Sequence, residues 1–159
     1  MTLPIDAQIM DALVALLQGT APTEDQSDIP GVGLLLLDPS RIVTEADGLV
    51  IRLEQGDLGN GIARDEIADT CRMLTTMPIM ITIYKQRQPG DPPNWRLLGP
   101  FNAEIHRRIM AHPRTLGGLC QSIESQGRQY PDPDPQACWL RLLYSVTYKS
   151  AQHDVTVNQ

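Results

Sequence analysis

The stretch "CWLRLLYSVTYKS", Cys138 to Ser150, alternates in polarity along its length. Leu140, Leu142, Tyr144, Val146 and Tyr148 fall on one side of a period of two, and Arg141, Leu143, Ser145, Thr147 and Lys149 on the other. Successive strand side chains point to opposite sheet faces, so the first set reads as core and the second as surface. The second set is polar but holds one leucine, the composition of a surface half-covered by a neighbouring subunit. The segment reads as an interior strand of a sheet. After Ser150 comes a short tail with a small β-prone patch, Asp154 to Val157, which either pairs with a neighbour's strand edge or frays in solvent.

Other segments supply partners for that strand. "PIMITIYK" (Pro78 to Lys85) is rich in β-branched residues and reads as a strand. So do Val32 to Asp38, bounded by Gly and Pro, and Leu49 to Glu54, where Leu49, Ile51 and Leu53 alternate with Val50, Arg52 and Glu54. Ile67 to Thr76 fits either period.

Three segments have helical spacing. Ile5, Ile9, Leu13, Leu16 and Leu17 mark a helix over Ile5 to Leu17, with Thr2 as N-cap and Gly19 as stop. Asn102 to Ala111 has Asn102 as N-cap and Ile105 and Ile109 on its apolar stripe. Leu116, Leu119 and Ile123 predict a third helix over Leu116 to Gln126, capped by Thr115 and ended by Gly127. The class is α+β: a mainly antiparallel sheet with about three helices on one face. Residues 1–159 form one domain, with a mobile acidic loop over 19–31 and a C-terminal tail over 150–159.

Composition narrows the function. Aromatic residues are 4 %, so the core is aliphatic and few platforms exist for stacking bases or sugars. The formal net charge is −6, opposite in sign to the basic excess that phosphate binding needs. Three cysteines, an odd number without metal-type spacing, argue for free thiols in a reducing compartment. The N-terminus carries no signal-peptide pattern, and the longest apolar run, Leu34 to Leu37, is far too short to span a membrane.

Patterns that carry chemistry are weak. His106, His112 and His153 do not share a helix face, and no HExxH occurs. Cys71 and Cys120 lie on apolar-patterned segments, where inert buried thiols are the rule, and Cys138 adjoins Trp139 at a strand start. Glu54 with Asp57, and Asp65 with Glu66, read as solvated carboxylates; Asp132 and Asp134 alternate with prolines without an EF-hand pattern. "GVG" at Gly31 to Gly33 precedes a strand and is no phosphate loop. In "TLGGL" (Thr115 to Leu119), close packing of Gly117 and Gly118 on a neighbouring backbone is favoured over an anion site beside Arg114. No enzyme, metal or cofactor is expected.

The order of elements is more informative. An N-terminal helix is followed by strands ending in "MPIMITIY", then "NAEIHRRIMAHPRTLGGLCQSIES", then the closing "WLRLLYSVTYKS" and a short tail. From Ile5 to about Val157 this resembles the tail terminator (tail completion) proteins of long-tailed bacteriophages. By that resemblance, Ile67 to Thr76 is strand running into Pro78 to Lys85. The loops over 38–48 and 88–100 are less familiar and read as decoration.

The resemblance implies a non-enzymatic virion protein, assembled in the host cytoplasm and placed at the neck. It implies a homo-hexameric ring on the head-proximal end of the tail tube. Its partners are the tube protein, a head-neck connector protein and, in a contractile tail, the sheath protein. DNA passes through the lumen without specific binding. Candidate subunit or tube contacts are Trp95, Leu97 and Leu98, apolar residues in a Pro/Gly loop, with Arg141, Leu143, Val155 and Val157. The alternatives are another phage neck or head-completion protein, or a small cytosolic α+β enzyme or ligand-binding domain.

Overall fold

The computed structural model describes residues 3–38, 40–56, 64–69, 72–111, 113–130, 136–151 and 154–158. The elements are α1 (Ile5–Gln18), β1 (Val32–Leu36), a 3-10 turn (Glu45–Asp47), β2 (Leu49–Gln55), β3 (Arg64–Asp69), β4 (Arg72–Gln86), α2 (Asn94–Ile109), a second 3-10 turn (Leu116–Gly118), β5 (Ser122–Gln129), β6 (Ala137–Ala151) and β7 (Asp154–Asn158). They form an α+β fold on a seven-stranded sheet of order β1-β2-β4-β6-β5, with β3 pairing β4 and β7 pairing β6. Among the described strands only β1 and β2 pair in parallel.

The spine is the antiparallel ladder between β4 and β6, in register from Arg72↔Ala151 to Gln86↔Ala137. Ile79, Ile81 and Ile83 of β4 and Leu140, Leu142, Tyr144, Val146 and Tyr148 of β6 are all buried, so the period of two correctly assigned the core face. Ile5, Ile9, Leu13 and Leu17 of α1 and Leu98, Ile105 and Ile109 of α2 join the same cluster, which puts both helices on one face. On the other face a small cluster of Leu34, Leu36 and Val50 is buried among the described residues, with Val43 against it.

α1 ends at Gly19, whose φ of 63° suits glycine and whose N–H reaches the Ala15 carbonyl at 2.9 Å. Its N-cap is Pro4, without a side-chain cap, in place of the expected Thr2, which lies outside the described residues. The 19–31 loop makes several contacts with its surroundings. Ile29 is buried, the Leu35 N–H donates to the Asp25 carbonyl at 2.8 Å, and Asp28 accepts from the Thr20 N–H at 2.9 Å. Arg108 of α2 closes on Asp28 at 2.6 Å. Gly33 is required where β1 crosses the first 3-10 turn: a Cβ there would stand 2.0 Å from the Asp47 carbonyl oxygen. Loops 38–48 and 88–100 meet where Gln88 donates to Glu45 at 2.8 Å.

Three expectations are corrected. Among the described residues there are two α-helices, not about three. α2 begins at Asn94 rather than Asn102, because Pro93 supplies the N-cap and Pro100 is accommodated inside the helix. Leu98, Ile105 and Ile109 are spaced so that one stripe faces the core from the first turns onward. The third expected helix is instead the second 3-10 turn and β5, with Gly127 at a bulge in β5 rather than at a helix end. Leu116, Gly117 and Gly118 all have positive φ, which no α-helix tolerates. Finally, Ile67 does not run continuously into Pro78: it belongs to β3, which folds back antiparallel on β4.

Candidate functional site

The helix-free face of the sheet is built from cross-strand rows. Val50 pairs with Tyr84, and Tyr84 with Trp139; Arg52 pairs with Thr82, and Thr82 with Arg141; Glu54 pairs with Met80, and Met80 with Leu143. Directly paired residues share a face, so register alone brings Tyr84, Trp139, Arg52 and Arg141 together. All four are half-buried although no helix among the described residues lies over them. A concavity of about 350 Å³ opens over the first two rows, flanked by Leu36 and Val43.

Its charges are unequally satisfied. Arg52 and Glu54 form an ion pair at 2.7 Å. Arg141 makes no ion pair among the described residues; its guanidinium lies 4.6 Å from the centre of the Trp139 ring. That cation–π contact leaves guanidinium N–H groups free to donate. Arg141 Nε is buried without a hydrogen-bond partner. The arrangement can take a carboxylate or other planar acceptor between aromatic walls.

The candidate contact residues are divided by the sheet. Arg141 and Leu143 lie half-buried on this face. Leu98 is 1 % exposed in the core on the helical side, which removes it from any contact surface. Leu97 is partly buried and packs on the same core. Trp95, on the first turn of α2, is 66 % exposed and carries the Arg96 guanidinium 5.6 Å from its ring centre. Val155 and Val157 lie in β7, which pairs with β6 of its own chain, so that backbone edge is already in use. Trp139, Tyr84 and Arg52 were missed. Alternation put Trp139 beside Arg141, but the register that adds Tyr84 and Arg52 is a tertiary property.

The remaining chemical candidates are structural where described. Cys120 and Cys138 are buried and free of disulfides, and burial pushes the Cys120 thiol up to about 11. His106 Nδ1 lies 3.1 Å from the Tyr144 hydroxyl and the rings stack; burial raises the Tyr144 phenol to about 12. Among the described residues no three His, Cys, Asp or Glu side chains converge on a metal position. Cys71, His112, His153, Asp57, Asp132 and Asp134 lie outside the described residues. The close-packing reading of "TLGGL" is corrected: nothing approaches a Cβ position at Gly117 or Gly118 within 4 Å, and their positive φ explains both glycines.

The fold and this face define a class: an α+β domain with one sheet face under helices and the other half-exposed around an arginine-aromatic concavity. No protein-family model matches the chain, and no curated protein matches it. No helix among the described residues is long and apolar enough to cross a membrane.

Proposed function

We propose that this chain is a non-enzymatic structural protein of a long-tailed phage particle. It forms a ring on the head-proximal end of the tail tube, stops tube growth and offers a docking surface to the neck. The observation that supports this reading is the helix-free face, where Trp139, Tyr84, Leu143 and Arg141 are half-buried with no helix over them among the described residues. A tube of stacked rings re-exposes the same adhesive face at each addition. Termination needs a subunit complementary to that face on one side and unlike it on the other. Cyclic repetition multiplies one modest contact around the ring. The net charge of −6 suits a lumen through which DNA slides without adhering.

The virion neck is the proposed location, with tube, connector and, in a contractile tail, sheath proteins as partners. The test is addition of purified chain to growing tail tubes: growth should arrest, with a ring at one end of each tube. A second reading, a ligand-binding domain, rests on the concavity; saturable binding of a small carboxylate by the monomer, without capping of tubes, would favour it.

A further inference from the structure

We infer that the concavity at Trp139 and Arg141 receives the acidic segment around Glu24 and Asp25 of a second copy of this chain. The inference rests on the ring-forming reading above and adds which surface meets which.

Charge selects the occupant. Around the concavity the helix-free face carries Arg52 and Arg141 against Glu54; farther along it Arg72 and Lys149 outnumber Glu124, which pairs with Ser145, so the face is basic on a chain of net charge −6. Glu54 is held by Arg52 at 2.7 Å, so it does not neutralise Arg141. The segment 20–31, by contrast, contains Glu24, Asp25 and Asp28 and neither Lys nor Arg.

Within that segment the three carboxylates differ. Asp28 is occupied internally by Thr20 and Arg108. Asp25 accepts from the Thr23 hydroxyl at 2.7 Å and reaches a cation only at 3.9 Å, on Arg41, with its side chain 59 % exposed. Glu24 is exposed and has no ion pair or hydrogen bond among the described residues. The backbone beneath is fixed by the Leu35 N–H bond to the Asp25 carbonyl, so the two carboxylates are presented with little ordering cost. They lie at the β1 edge, whereas Arg141 lies on β6, across β2 and β4. The contact joins two different patches, as a head-to-tail arrangement of subunits requires.

Geometry on the receiving side fits a carboxylate. The Arg141 guanidinium carbon lies 4.6 Å from the Trp139 ring centre and its N–H groups make no ion pair among the described residues, so they remain for paired N–H···O bonds. Nε–H is already out of water without an acceptor, so an oxygen reaching it after a small swing of the side chain relieves an existing penalty. Leu36 and Val43 wall the concavity and exclude water around the pair. The other free edge is less suited: β5 carries a bulge between Ser125 and Gly127 and the charges of Glu124 and Arg128, which hinder strand addition.

The experiment is sedimentation velocity over a concentration series, for the wild type, Arg141→Glu, Glu24→Arg and the double swap. Thermal melting of each variant checks folding, and Glu24 is exposed enough that its substitution leaves the monomer intact. Each single variant should weaken self-association about tenfold or more, and the swap should restore most of it. If both single variants assemble as the wild type does, the inference falls while the ring reading stands. A wild type that stays monomeric both in solution and on tube ends overturns both. Assembly lost in the single variants and regained in the swap, without capping of tubes, supports the inference and removes the ring reading.

Discussion

Replacing Leu98 by Ala separates the two roles that the start of α2 can have. Leu98 is 1 % exposed and joins the core cluster with Ile105 and Ile109. The substitution removes three buried carbons, each worth about 0.8 kcal/mol in transfer, or about 2.4 kcal/mol together. The residual cavity adds to that, within the usual range of about 2–5 kcal/mol for such truncations. For a domain of this size each kcal/mol lowers the midpoint by about 2–4 °C, so about 2.4–5 kcal/mol gives a fall of about 5–20 °C. Trp95, three residues earlier and 66 % exposed, should shift it by no more than about 2 °C when replaced by Ala. The assay is far-UV circular dichroism during heating, with urea midpoints as a check. Equal small shifts in the two variants would show that Leu98 is not in the core, and the placement of α2 would be wrong.

Other expectations follow from the same structure. Thr20 and Arg108 hold the Asp28 carboxyl at about 2, below its ordinary 3.8, while Arg107 and Arg108 hold Glu104 at about 2, below 4.5. Both folded values lie below the unfolded ones, so this stabilisation is full above the ordinary range and is lost as pH falls from about 4.5 through about 2. Urea midpoints between pH 6 and 2 should therefore decline, with a smaller decline in Arg108→Gln; equal slopes would refute the assignment. Gly118, with φ of 95° and nothing near a Cβ position, should cost about 1 kcal/mol as Ala through backbone strain alone, read from the urea midpoint. Deleting residues 152–159 removes β7 from its own sheet and should lower the monomer's melting midpoint; an unchanged midpoint would mean that the β6–β7 pairing contributes nothing. Trp95→Ala should weaken assembly on tubes, measured by co-sedimentation, at nearly constant thermal midpoint.

The parts of the fold legible in the sequence are those where one face is buried along a whole element. Leu140 to Tyr148 and Ile79 to Ile83 alternate because helices cover one side only, and α1 shows its stripe at Ile5, Ile9, Leu13 and Leu17. The errors fall where local signals compete with tertiary pairing. Gly99 and Pro100 suggested a loop, yet α2 runs through both; the spacing of Leu98 to Ile105 and Ile109, after the Pro92–Pro93 pair, was the available clue. Leu116, Leu119 and Ile123 have helical spacing, but a left-handed run at Leu116, Gly117 and Gly118 breaks it and β6 recruits the remainder as an edge strand. Of the candidate surface, Arg141 and Leu143 were legible from alternation. Arg52, Tyr84 and Trp139 joined them only through the registers of β2 with β4 and of β4 with β6.

The most direct test of the central claim is the length of tail tubes, measured by negative-stain electron microscopy, as tube subunits polymerise with and without the purified chain. The account predicts that the chain arrests growth, shortens the tubes in a concentration-dependent way and leaves a ring of its own density at one end. Tubes that reach the same lengths at every concentration, with bare ends, would contradict it.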